Sequence, residues 1–533
     1  MSDEWWRRGV IYQIYPRSLQ DSNGDGIGDL PGILRRLDYV AELGVDALWL
    51  SPVYPSPMAD FGYDVSDYIN IHPMFGSLAD FDRLVAEAKG RGLKLILDFV
   101  PNHTSERHPW FLESRSSRQN PKRDWYLWRD AAPAGGPPNN WSSNFGGSAW
   151  EWDEASGQYY YHAFLKEQPD LNWRNPDVVE AMHAVMRFWL QRGVDGFRVD
   201  VMWMLIKDDQ WRDNPPNPDY RPGQPPHDSQ IPLYNSDRPE VQDVVAGLRR
   251  VLDEFKDRVL IGEIYLPVER LVAYYGAKLD GAQLPFNFQL LQSAWDASNI
   301  AARIDRYEGA LPPGGWPNWV LGNHDRPRMA SRVGLPQSRV AAMLLLTLRG
   351  TPTMYYGDEL GMLNVPIPAN RVQDPLEKNV PGLGLGRDPC RTPMQWDASE
   401  YAGFSTSEPW LPISDGHAAV NVQAEDADTT SHLTLYRRLL QLRRSHSALA
   451  VGSYESVATT GDLLAYIRRA EGESFLIALN LGPAPCEFPL QSLGLRGRRV
   501  LSTYLDAHEE ETTANLALRA NEGVILELAP AAP

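Results

Sequence analysis

The sequence predicts an α/β fold: a (β/α)8 TIM barrel with an inserted loop-rich subdomain after strand 3 and a C-terminal antiparallel β-sandwich domain. Three observations carry this. Short apolar runs rich in β-branched and aromatic residues recur at 10–15, 47–50, 95–100, 196–201, 259–265, 283–288, 319–321 and 353–356, with amphipathic helical stretches between most of them. Eight such βα repeats suit a closed parallel barrel. The interval between the third and fourth runs is too long for one crossover helix, and past a helical stretch at 433–445 short strands such as 463–467 and 474–479 follow without helices between them. That change of pattern marks a small antiparallel domain.

The barrel is expected over 1–103 and 173–450, the insertion over 104–172 and the terminal β domain over 451–533. A chain of 533 residues exceeds the roughly 250–300 that one core supports, so a division is required in any case. Residues 104–172 hold six of the 18 Trp and a Pro/Gly/Asn-rich stretch at 133–140. Trp141, Phe145, Trp150, Trp152, Tyr159, Tyr160 and Tyr161 read mostly as that insertion's own core. A second Pro/Gly-rich insertion spans about 357–430.

A formal charge of −18 works against nucleic acid or an anionic membrane as partner, since both need a basic face, and favours a neutral small molecule. Two cysteines far apart, Cys390 and Cys486, do not form a disulfide framework and suit a reducing compartment. The acidic start of the chain lacks the apolar run of a signal peptide, and the longest apolar stretch, near 340–348, is about half the ~20 residues of a membrane span. The expectation is a soluble cytoplasmic protein whose oligomeric state is open.

Chemistry concentrates at the carboxyl ends of the strands. In Gly196-Phe197-Arg198-Val199-Asp200-Val201, strand alternation turns Arg198 and Asp200 to one face, and an adjacent guanidinium favours an ionised carboxylate. A structural ion pair at the barrel rim is the plainer alternative. Glu263 ends a mostly apolar strand, where desolvation should raise its pKa toward that of a general acid. Asp325 follows His324 at the end of the seventh run. Three carboxyl groups on strands four, five and seven would converge on one barrel mouth.

The segments Asp98-Phe99-Val100-Pro101-Asn102-His103, Gly196 to Val201, Gly262-Glu263-Ile264 and Asn323-His324-Asp325 resemble, in order, the four motif regions of the α-amylase family of glycoside hydrolases (family 13). Gln168-Pro169-Asp170-Leu171-Asn172 resembles a fifth region in the form of the oligo-1,6-glucosidase/α-glucosidase subfamily. The likeness runs from Trp6 to about residue 445. It implies Asp200 as nucleophile, Glu263 as general acid/base and Asp325 as stabiliser of the distorted sugar. It further implies Asp64, His103, Arg198, His324 and Arg387 as ligands of the terminal glucosyl unit, Tyr63 as its stacking platform, and Phe164 and Gln168 near the leaving group. Asp64 and Arg387 are expected to pair behind the non-reducing end, with Arg391, four residues on, as the rival arginine. An exo-acting retaining α-glucosidase for short α-1,4/α-1,6-glucosides follows.

A glucosyltransferase or an isomerase would share the same carboxylates, and a non-enzymatic transporter ectodomain is the reading from another class. Pro327-Arg328-Met329-Ala330 departs from the Arg/Asp-rich stretch of the isomerases, and Val201 leans toward α-1,6 linkages.

Near the first strand, Asp21, Asn23, Asp25, Ile27 and Asp29 present oxygen ligands at alternate positions among glycines, a pattern suited to a hard cation. The expectation is one structural Ca²⁺ or Mg²⁺ remote from catalysis and no organic cofactor, against a metal-free loop of Asx turns. Gly32 stands where an EF-hand would have its bidentate glutamate. His72, His108, His162, His227 and His446 show no paired spacing for zinc.

Overall fold

The computed structural model describes residues 4–506, 511–512 and 515–529. Eight strands form one parallel sheet: β1 (Ile11–Ile14), β2 (Ala47–Leu50), β3 (Lys94–Phe99), β4 (Gly196–Val199), β5 (Val259–Gly262), β6 (Leu284–Pro285), β7 (Asn318–Val320) and β8 (Thr351–Tyr355). β8 pairs with both β1 and β7, and a parallel bridge between Asn287 and Trp319 joins β6 to β7, closing the barrel.

Strand alternation divides the core into two layers. Ile11, Ala47, Trp49, Ile96, Val259, Ile261, Leu284 and Val320 fill the barrel interior as one cluster. Their neighbours Tyr12, Ile14, Leu48, Leu50, Leu95, Leu97, Phe197 and Leu260 join the larger cluster shared with the surrounding helices. In the helix Pro176–Gln191, the Asn175 side chain accepts the Asp177 N–H and Pro176 opens the first turn, while Val178, Met182, Val185, Met186 and Trp189 form its buried stripe. This helix delivers the chain to β4, whose outer end carries the chemistry.

Three strands, β4, β5 and β6, end two or more residues before the apolar runs do. β6 is short because Pro285 has no N–H to donate, so only the Asn287 bridge continues it. β4 stops at Val199 because Val201 adopts φ 39°, ψ 46°, a left-handed backbone that a β-branched residue seldom takes.

Between β3 and β4, Trp128–Arg129, Trp150–Asp153 and Gln158–Tyr161 form a three-stranded antiparallel sheet. Trp141, Trp150 and Tyr161 pack with Val201 and Met204, so the insertion is seated on the segment that follows β4. Beyond the helix His432–Ser445, a six-stranded antiparallel sheet and the pair Cys486–Phe488 with Leu516–Leu518 enclose a separate cluster of Leu463, Ile467, Leu476, Phe488, Leu518 and Leu526. The other face of the large sheet is buried too. Tyr466, Ile477 and Ile525 join the main core, and the Tyr466 hydroxyl bonds Thr347 Oγ1 at 2.6 Å. Among the described residues, no helix is long and apolar enough to cross a membrane.

Candidate active site

The site is built around one buried cation. Arg198 points inward from β4 with 1% of its surface exposed. Its Nη1 donates to Asp98 Oδ1 of β3 and to Asp200 Oδ1, both at 2.7 Å, and its Nη2 lies 2.8 Å from Glu263 Oε2 beyond β5. The guanidinium carbon stands 5.2 Å from the centre of the Trp49 ring. The strained backbone at Val201 aims its N–H at Glu263 Oε2, at 2.9 Å, which fixes the second carboxylate beside the first.

Asp200 and Glu263 therefore meet on the two Nη nitrogens of one guanidinium. Burial raises both pKa values above the ordinary carboxyl range. For Asp200 this departs from the expectation that Arg198 would hold it low. The guanidinium does lower it, but desolvation is larger, and Glu263 and Asp98 add like charge. Burial likewise lifts Asp98 to about 6. One positive charge is shared among three carboxyl groups, so the ionisation of each raises the cost of ionising the others.

Asp325 has the opposite environment. Burial alone would raise it, but His324, Arg387 and Arg391 hold it well below the usual range. Its Oδ2 is 3.2 Å from His324 Nε2, and its Oδ1 lies 2.9 Å from Arg391 Nη2 and 3.3 Å from Arg387 Nη1. The Tyr63 hydroxyl joins His324 Nε2 at 2.7 Å and Asp98 Oδ2 at 3.0 Å, linking the two carboxylate groups. The Tyr63 and His324 rings are parallel, with centroids 5.5 Å apart.

The expected pairing of Asp64 with Arg387 is not formed. Asp64 is fully buried and accepts from the Ser56 hydroxyl and the N–H groups of Ala59 and Asp60, so its carboxylate stitches its own loop together. Asp60 takes the role instead: Arg387 Nη2 donates to Asp60 Oδ1 and to Asp374 Oδ1, each at 2.7 Å. Phe145 of the insertion lies 5.1 Å from that guanidinium. Arg387 thus ties the loop after β2, the end of β7, the insertion after β3 and the long segment after β8 at one point. Arg391 meets the same Asp325 oxygen as Arg387, and its Nε donates to the His324 carbonyl oxygen at 2.8 Å.

His103 Nε2 lies 3.2 Å from Gln168 Nε2, whose amide also donates to Asp60 Oδ2, and the Phe164 ring packs 5.3 Å from His103. The structure therefore brings together Asp200, Glu263, Asp325, Arg198, His324, Tyr63, His103, Gln168, Phe164 and Arg387, and sets Asp64 behind them. Asp60 and Asp374 are not foreseen in the sequence, Asp98 stands there only as the start of a motif segment, and Arg391 only as a rival to Arg387. Asp374 does carry a helix-cap signature before Pro375, and it caps that short helix, accepting the Leu376 N–H. Its pairing with Arg387 has no local signal.

The loop at 21–29 lies apart from this group in the contacts it makes. Asp21 accepts the N–H groups of Asn23, Gly24 and Gly26; Asn23 accepts from Asp25, Asp25 from Ile27, and Asp29 from Ser22 and Gly32. Among the described residues, no three His, Cys, Asp or Glu side chains gather as a metal cluster.

A closed parallel barrel with carboxyl groups converging at the ends of β4, β5 and β7 and an aromatic insertion after β3 defines a class of sugar-processing enzymes. Residues 13–452 match the family described as alpha amylase, catalytic domain. The chain belongs to the α-amylase family and is a glycoside hydrolase. It is 44% identical to a probable alpha-glucosidase of Rhizobium meliloti, with 96% of each chain covered. It is 38% identical to an oligo-1,6-glucosidase of Halalkalibacterium halodurans, with 98% of each covered. The crystal structure of the alpha-glucosyl transfer enzyme XgtA superimposes with a TM-score of 0.94 at 40% identity, over 99% of this chain and 100% of that one.

The exchange of roles between Asp60 and Asp64 can be tested directly. Asp60→Ala should lower kcat/KM on p-nitrophenyl α-glucoside at least about tenfold, because it removes one of the anchors of Arg387. Asp64→Ala should chiefly lower the melting temperature, since three donors in its loop lose their acceptor, a cost on the order of 1–3 kcal/mol. Kinetics and thermal melts of both variants decide; Asp64→Ala losing activity at unchanged melting, beside an active Asp60→Ala, would contradict the assignment.

Proposed function

We propose that the chain is an exo-acting retaining α-glucosidase that releases α-glucose from the non-reducing end of short maltose- and isomaltose-type oligosaccharides. The observation that carries this reading is the pair Asp200–Glu263, held side by side on the two Nη nitrogens of Arg198. Retaining glycosidases place their carboxyl groups about 5–5.5 Å apart, inverting ones about 6.5–9.5 Å, the difference being room for a water. Two carboxyl groups bridged by a single guanidinium support the shorter spacing.

Asp200 attacks the anomeric carbon while the bond to the leaving oxygen breaks, and the Glu263 proton passes to that oxygen. The glucosyl unit is then an ester of Asp200. Glu263, now a carboxylate, takes a proton from water; the water oxygen bonds to the anomeric carbon and the Asp200 ester breaks. Two inversions return the α configuration. Asp325, kept ionised by its two arginines, faces the positive charge that develops on the ring. His103, His324 and Arg387 serve the hydroxyls of the terminal glucosyl unit, with Tyr63 under the ring and Phe164 and Gln168 toward the leaving group.

The wall behind that unit is the Asp60–Arg387–Asp374 bridge, and it supports the exo assignment. The relatives named α-glucosidase and oligo-1,6-glucosidase support the substrate class. XgtA, an alpha-glucosyl transfer enzyme, favours a second reading in which a sugar hydroxyl replaces water in the second step. Two cysteines without a disulfide partner support a cytoplasmic location. Products from maltotetraose and from isomaltose should consist first of single α-glucose, seen as the α anomer by NMR before mutarotation. Early maltotriose or larger fragments from a long malto-oligosaccharide would show an open cleft, and transfer products in excess of glucose would favour the second reading.

For the loop at 21–29 the proposal is one structural Ca²⁺ or Mg²⁺. The Asp25 oxygens and Asp29 Oδ1 each accept one hydrogen bond and keep a second lone pair, whereas both Asp21 oxygens already accept two; a cation would draw on the former, on the Asn23 amide oxygen and on the Ile27 carbonyl. Chelation should then lower the melting temperature more than it lowers turnover of the folded enzyme, and added Ca²⁺ or Mg²⁺ should restore it. A melting temperature indifferent to chelator and to both ions would leave the Asx turns as the whole account of the loop.

A further inference from the structure

Lys207 follows β4 by eight residues and is not among the groups that the proposed reaction uses. It is 4% exposed, a setting in which lysine seldom occurs unpaired. Its Nζ lies 2.5 Å from Asp170 Oδ2 and donates to Asn102 Oδ1 at 2.6 Å. Asp170 and Asn102 are themselves fully buried. Asn102 Nδ2 reaches Asp170 Oδ2 at 2.9 Å and His103 Nδ1 at 3.1 Å.

An ammonium group has only donors, so the Asn102 atom that meets it must be the oxygen. The amide nitrogen is thereby turned toward Asp170 and His103, and its two protons have one acceptor each. His103 Nδ1 must then accept. Burial pushes the imidazole pKa down to about 4, so near neutral pH the ring carries a single proton, and that proton sits on Nε2. There it has the Tyr63 carbonyl oxygen at 3.2 Å as acceptor. Gln168 Nε2, also 3.2 Å away, is a donor; its amide is oriented by the Leu165 N–H on its oxygen and by Asp60 on its nitrogen. In the opposite tautomer, Nε2 would accept from Gln168 and have no proton for a sugar hydroxyl.

We infer that Lys207 is a positioning residue that sets the orientation of the Asn102 amide, and through it the tautomer in which His103 offers an N–H to the glucosyl unit. The inference rests on the reading of His103 as a sugar ligand for its consequence in catalysis, but not for the tautomer itself.

The test uses the full-length enzyme labelled with ¹⁵N-histidine, the His103 signals being assigned by comparison with His103→Gln. Wild type should show His103 protonated at Nε2 with a bare Nδ1. Lys207→Met should populate the Nδ1–H form and lower kcat/KM for maltose about tenfold or more, with KM raised. Asn102→Asp keeps the shape and the contact with Lys207 while placing an acceptor at Nδ1, so it should give the Nδ1–H form outright; it decides the matter if Lys207→Met does not fold. A wild-type ring protonated at Nδ1, or Asn102→Asp retaining the Nε2–H form, would overturn the inference. The tautomer is read without substrate, so a wild type inactive on α-glucosides but protonated at Nε2 would sink the glucosidase reading and leave this one standing.

Discussion

The site depends on one buried guanidinium. Arg198 enters the barrel mouth from β4 and is gripped by carboxylates from β3, β4 and β5, with the Trp49 indole beside it. Removing any one partner would change the charge state of the others, because burial makes each charge expensive unless it is matched. Burial raises the pKa of both Asp200 and Glu263 while the guanidinium pulls each down, a balance that suits a carboxyl pair divided between acid and nucleophile.

The barrel supplies the positions. Closure through β8–β1 and the Asn287–Trp319 bridge sets the strand ends in a ring, so residues more than 60 positions apart in sequence meet within hydrogen-bond distance. The insertions then decide what the mouth can hold. A second arginine, Arg387, gathers the loop after β2, the end of β7, the aromatic insertion and the segment after β8. The two cations divide the labour: Arg198 gathers the carboxyl groups at the ends of β3, β4 and β5, and Arg387 ties the insertions together at the point that serves as the wall in the proposed exo-acting reading.

What could be read in the sequence follows from the range over which each signal acts. Alternation within a strand is local, so Arg198 and Asp200 were legible as neighbours on one face, and the apolar setting of Glu263 foretold its raised pKa. The same alternation suggested a depressed Asp200, because it showed Arg198 and not the two further carboxylates that other strands bring to the same cation. Asp60 and Asp64 lie on one loop, and nothing local distinguishes a carboxylate that stitches its own turn from one that reaches a partner more than 300 residues away. Val201 read as the last residue of a strand; its left-handed backbone goes with an N–H bond to Glu263 and a place in the cluster that holds Trp141 and Trp150, which only the folded chain provides.

The central claim is that Asp200 forms a covalent bond to the sugar while Glu263 moves the proton. The most direct measurement is mass spectrometry of peptides after incubation with 5-fluoro-α-glucosyl fluoride, a substrate whose second step is slowed so that an ester accumulates. The account predicts one added fluoroglucosyl group per chain, on the peptide bearing Asp200, and none on that residue in Asp200→Asn. A sugar found on Glu263, or sustained turnover of α-glucosides by Asp200→Asn with retention of configuration, would contradict it.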